Sequence, residues 1–110
     1  MNLETIKQYI LDNYGLEFVD DEYGYTKALS YTDKKKKQQC YINLSEFIDK
    51  SSKIIGYDVH NIPYTHGSSG PVPYNENDIN SFYRAIDNIM QNNFKYEKLQ
   101  EKQTTIFDFI

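Results

Sequence analysis

The chain has 110 residues and a mass of 13.0 kDa, enough for one domain with a modest core and too little for two. Apolar residues make up 39% of it, eleven Tyr and six Phe among the aromatics, so rings must supply much of the buried area. A formal net charge of −4 argues against a general nucleic-acid binder, which needs a basic face to release counterions.

Leu3, Ile6, Ile10, Leu11 and Tyr14 recur at helical spacing and predict a first helix over 3–14, with Asn2 as its cap and Gly15 at its C-terminal end. Leu16-Glu17-Phe18-Val19 then reads as a short strand, followed by an acidic turn, Asp20-Asp21-Glu22. Residues 23–42 read as one long antiparallel hairpin whose charged tip is Asp33-Lys34-Lys35-Lys36-Lys37. Asn43 and Glu46 have capping-box spacing, and Leu44, Phe47 and Ile48 extend them into a short helix through about Ser52. Lys53 to Val59 is a further strand candidate.

Residues 60–74 carry three Pro and two Gly, a density that reads as an irregular loop. Asn75 is then expected to cap a final helix over about 76–93, with Ile79, Phe82, Ile86, Ile89 and Met90 on one face. A charged connector, Lys95 to Lys102, leads to the C-terminal peptide. The fold class that follows is α+β: a mainly antiparallel three- or four-stranded sheet packed against N-terminal and C-terminal amphipathic helices. Residues 1–94 form the domain, and 95–110 the connector and peptide.

The side chains that carry chemistry have bland alternatives beside them. His60 and His66 with Cys40 invite a metal reading, yet a spacing of six fits no close zinc pair and no fourth ligand is indicated. Neither a metal nor another cofactor is therefore expected. The two His also suit acid–base work if Asp58 or Tyr64 orients a ring, which requires partners within about 3 Å. Lys34–Lys37 reads as a solvated tip in preference to a phosphate grip. Gly67-Ser68-Ser69-Gly70 lacks the Lys-Ser/Thr of a P-loop and reads as chain flexibility. Asp20-Asp21 and Glu76-Asp78 suit a turn and a first helical turn respectively. Residues 1–33 hold seven acids and two lysines (net −5), residues 34–37 add four lysines, and 38–110 sum to −3.

The last eight residues, Gln103-Thr104-Thr105-Ile106-Phe107-Asp108-Phe109-Ile110, are polar first and apolar at the end. Gln103, Ile106 and Phe109-Ile110 resemble the clamp-interacting box of archaeal and eukaryotic replication proteins. "Thr-Ile-Phe-Asp-Phe" is similar to the tails of archaeal clamp-loader large subunits. Gln103 to Phe107 also resembles the bacterial clamp-binding pentapeptide. The resemblance implies that Gln103 docks at a pocket rim and Ile106 enters it. The second anchor is Phe109-Ile110 in one family and Phe107 in the other. Ile110 departs from the aromatic usual in the first family. The same letters also suit an edge strand packed on the domain.

The expectation that results is a non-enzymatic interaction protein of DNA replication or repair whose partner is a sliding clamp or another DNA-handling protein. Direct binding to nucleic acid is not expected. One alternative is a viral, phage or plasmid-type acidic inhibitor that mimics DNA, favoured by a contiguous acidic patch over 12–22 and 76–78. The other is a small enzyme or nucleic-acid binder centred on loop 60–74, favoured by a pocket joining His60, His66 and Tyr64 or Tyr74. A lone Cys40 suits a reducing cytoplasm, or a host-cell interior if the chain is viral. No apolar run approaches the roughly 18 residues of a membrane span.

Overall fold

In the computed structural model, residues 1–46 and 53–99 are described. The elements run α1 (Leu3–Tyr14), β1 (Val19–Tyr23), β2 (Thr26–Asp33), β3 (Gln38–Glu46), β4 (Lys53–Asn61), β5 (Thr65–Tyr74) and α2 (Ile79–Asn88), which continues as a π-helical turn, Ile89–Asn93. The class is α+β, but the sheet has five strands, not three or four. It is an antiparallel meander in the order β1-β2-β3-β4-β5.

The extra strand comes from residues 60–74, expected to be irregular. β5 pairs with β4 along most of its length, with Pro71 opposite Gly56 and Pro73 opposite Ile54. Proline cannot donate to a ladder, but among the described strands β5 is at the edge, with β4 as its one neighbour. The prolines therefore blunt an exposed edge.

Three other boundaries move. Leu16, Glu17 and Phe18 lie outside the strand, which begins at Val19. Asp20-Asp21-Glu22 is not a turn but part of β1, and the chain reverses at Gly24-Tyr25 between the paired Tyr23 and Thr26. Gly24 has φ +65°, as a two-residue hairpin requires. Asn43 to Glu46 is not a helix start but part of β3: Cys40 and Ile42 bury towards the helices, and Leu44, two residues on, packs against the same core. The remainder of that expected helix, 47–52, lies outside the described residues. The final helix is capped by Asp78, whose side chain accepts from the backbone N–H of Asn80, and not by Asn75.

α1 forms as its pattern predicts. Asn2 accepts from the Thr5 amide, and Gly15 ends the helix at φ +69°. Ile6, Ile10 and Tyr14 of α1 join Phe82, Ala85 and Ile86 of α2 over Leu29, Cys40, Ile42, Ile55 and Val59 of the sheet. Phe18, Phe94, Ile89 and Met90 complete this cluster. Both helices thus cover one face of the sheet, and among the described residues no helix covers the other. Lys36 secures the end of the π-helical turn by donating from Nζ to the carbonyls of Phe94 (3.0 Å) and Lys95 (2.6 Å), and it lies over the Tyr96 ring. One lysine of the hairpin tip is therefore a structural clamp, which leaves fewer for any phosphate.

Candidate functional site

Alternation along β4 sends Ile55 and Val59 into the core, so Asp58 and His60 point from the opposite, helix-free face. Tyr41 stands opposite Asp58 in β3 and shares that face. His66 reaches it by an irregularity. Val59 pairs with Ser68, but His60 pairs with His66, so Gly67 is an extra residue in β5. In an unbroken register Gly67 would oppose His60, and His66 would turn to the other side. The bulge re-aims it. Gly67 fits there because a Cβ would press to 3.0 Å from the Val59 carbonyl oxygen.

The result is a carboxylate between two imidazoles. His60 Nε2 lies 3.0 Å from Asp58 Oδ2, and His66 Nε2 lies 3.1 Å from Oδ1. The Asp58 side chain is 9% exposed, His60 14% and His66 49%. The Tyr23 hydroxyl donates to Asp58 Oδ2, and this bond pushes its phenol up to about 12. Tyr23 arrives from β1, three strands away in the sheet order, so the helix-free face is concave here. Asp58 Oδ1 is buried and has no hydrogen-bond partner among the described residues, although His66 Nε2 lies 3.1 Å away.

Rings brace the cluster. The Tyr64 ring meets His60 edge-on at 4.6 Å between centroids, and Tyr41 lies 6.0 Å away. Beside them is a cavity of about 180 Å³ that Asp58 shares with Tyr23, Tyr41, Asn43 and Gly56. A Cβ on Gly56 would run into Asn43 Oδ1, so that side-chain tip would have to turn aside.

The expected site residues divide. His60, His66, Tyr64 and Asp58 come together, but the cavity beside them is lined by Asp58 and by neither histidine nor Tyr64, so it is not the pocket that the loop-centred alternative called for. Tyr74 does not join them: it packs on Phe82 among the helix-side residues. Cys40 is also on the helix side, opposite Val59, where burial pushes its thiol up to about 12. The third group beside the histidines is thus Asp58 and not Cys40. Gly67 to Gly70 lie within β5, where they serve a strand and not a flexible loop. Tyr23 was legible only as a strand residue, because nothing in its local pattern announces contact with β4.

The acids do not merge into the patch that a DNA mimic would call for. Asp20, Asp21 and Glu22 lie on β1, whereas Glu76 and Asp78 follow β5, at the opposite edge of the sheet. Gln103, Ile106, Phe107, Phe109 and Ile110 lie outside the described residues. Among the described residues no helix is long and apolar enough to cross a membrane. Comparison with family models, with curated proteins and with solved structures finds no match.

Proposed function

We propose that this chain is a small non-enzymatic accessory protein of DNA replication or repair that docks on a sliding clamp through residues 103–110. The observation that carries the reading is Gln103-Thr104-Thr105-Ile106-Phe107 with Phe109-Ile110 behind it, a polar rim contact followed by apolar plugs. Such a peptide obtains affinity from few residues because buried apolar anchors dominate small interfaces. Ile106, with Phe109-Ile110 or Phe107, enters the clamp pocket, and Gln103 hydrogen-bonds at its edge. The body then either brings its own site to DNA or blocks other clamp partners.

The layout of the chain supports this division of labour. Among the described residues the last helical turn ends at Asn93, before the connector begins. Tyr96 is fixed by its hydroxyl, which donates to Asp33 (2.6 Å), and the Leu99 amide donates to the Asn13 carbonyl (2.8 Å). Leu99 itself is exposed. The chain therefore reaches residue 99 at the surface near the end of α1. A cytoplasmic setting belongs to the same reading, since rings that encircle DNA work inside the cell.

The test is to titrate the intact protein, and a peptide of residues 98–110, against a bacterial sliding clamp and an archaeal or eukaryotic one. Binding to one ring is expected, weakened about tenfold or more by Gln103→Ala or Ile106→Ala. Absence of binding to both rings by protein and peptide alike would overturn the proposal.

A further inference from the structure

We infer that Asp58, His60 and His66 form a binding site for a first-row divalent metal ion, with coordination positions left open to solvent. The inference is independent of clamp docking and concerns the folded body alone. One carboxylate oxygen and two imidazole nitrogens lie within 4.8 Å of one another. An ion about 2.0–2.2 Å from each donor holds neighbouring donors roughly 3.0–3.4 Å apart. The carboxylate-to-imidazole distances, 3.0 Å to Oδ2 and 3.1 Å to Oδ1, are of that size but run to different oxygens, so the three donors must draw in from their 4.8 Å spread to share one ion.

Hydrogen bonding alone explains only half of the arrangement. It accounts for His60 and for Tyr23, which both meet Asp58 Oδ2. It leaves Oδ1, buried in a side chain that is 9% exposed, with a nitrogen at 3.1 Å but no hydrogen-bond partner among the described residues. A buried carboxylate oxygen without a donor is costly, and a cation between oxygen and nitrogen removes the cost. The bulge at Gly67 is a second, separate observation. It is the feature that puts His66 on the same face as Asp58 and His60.

The surroundings suit a metal as well. Tyr23 holds the carboxylate from outside, and Tyr64 packs against the His60 ring, the kind of support that orients ligands. Two imidazoles and a carboxylate suit zinc, iron, cobalt or nickel better than calcium or magnesium, which favour oxygen donors. Three protein ligands leave at least one position unfilled, as in sites that exchange water or a small ligand. His66 is half exposed, and Asp58 also lines the cavity of about 180 Å³, so such a ligand has an approach.

The experiment uses the full chain, stripped with a chelator and titrated with Zn²⁺ by calorimetry and with Co²⁺ by visible absorption. Saturable binding of one ion per chain is expected, with Co²⁺ bands of a low-coordinate site. His66→Ala should weaken binding by more than the roughly 10–100-fold that loss of an outer partner costs, and Tyr23→Phe by about that amount. Circular dichroism of each variant checks its fold. If His66→Ala does not fold, the imidazole nitrogen resonances of the unaltered protein, with and without Zn²⁺, decide instead: those of both His60 and His66 should move on saturation. No binding, binding unchanged by His66→Ala, or imidazole resonances that stay in place would overturn the inference.

Discussion

Among the described residues three carboxylates accept from tyrosines, and two of them, Asp87 and Asp58, are satisfied differently. Asp87, on α2, accepts from the hydroxyls of Tyr9 (3.0 Å to Oδ2) and Tyr14 (2.7 Å to Oδ1), and Lys98 Nζ stands 3.1 Å from Oδ2. Both of its oxygens are bonded and its charge is matched by an ammonium. Asp58 also accepts from a tyrosine, but its other neighbours are two imidazoles, and one oxygen has no hydrogen bond. Asp87 ties the connector and both helices together and asks for nothing further. Asp58 is deeper, less satisfied and beside a cavity, which is the condition of a ligand and not of a brace.

That contrast sets the sizes of the expected effects. Asp87→Ala should be the most damaging change, because it strands Tyr9, Tyr14 and Lys98 at once. A loss of about 2–3 kcal/mol is expected from the charged hydrogen bonds, read by urea unfolding. Gly56→Ala should cost no more than about 1 kcal/mol, because the Asn43 tip can turn aside, and adding Asn43→Ala should recover part of it. Asp58→Asn in metal-free protein should stay within about 1 kcal/mol of the unaltered chain, because it removes an unsatisfied buried oxygen along with the charge.

The smallest effect is a titration. Asp58 raises the Tyr23 phenol from an ordinary 10.0 to about 12. A folded value above the unfolded one means that this bond contributes fully below pH 10.0 and is lost as the pH climbs towards about 12. Ultraviolet titration of the tyrosines should show one phenol moving back towards 10.0 in Asp58→Asn. Burial, followed by the bond to Asp87, raises Tyr14 as well. Its displacement should persist in Asp58→Asn and shrink in Asp87→Asn.

The helices were legible because their signals are local. Asn2, Gly15 and a 3.6-residue stripe define α1 without reference to anything else. The hairpin tip at Lys34–Lys37 is also local, since two alternating runs flank it. β5 was hidden because Pro71 and Pro73 forbid a central strand, and only the sheet order reveals that this strand is at an edge. The capping-box letters from Asn43 to Glu46 were outweighed by pairing with β4, a tertiary contact. In the site, Asp58 and His60 are two apart and share a face on any strand reading. His66 is different: a six-residue spacing across a turn says nothing about facing until the bulge at Gly67 is known. Tyr23 depends on sheet curvature, which no short pattern encodes.

If Asp58 is a ligand and Asp87 a structural hub, thermal unfolding with and without Zn²⁺ separates them in one set of curves. At about a hundredfold excess over the dissociation constant, Zn²⁺ should raise Tm of the unaltered protein by roughly 10 °C. Asp87→Asn should start lower and gain about the same amount, while Asp58→Asn should gain almost nothing. Equal gains in all three proteins, or none in the unaltered one, would contradict the assignment.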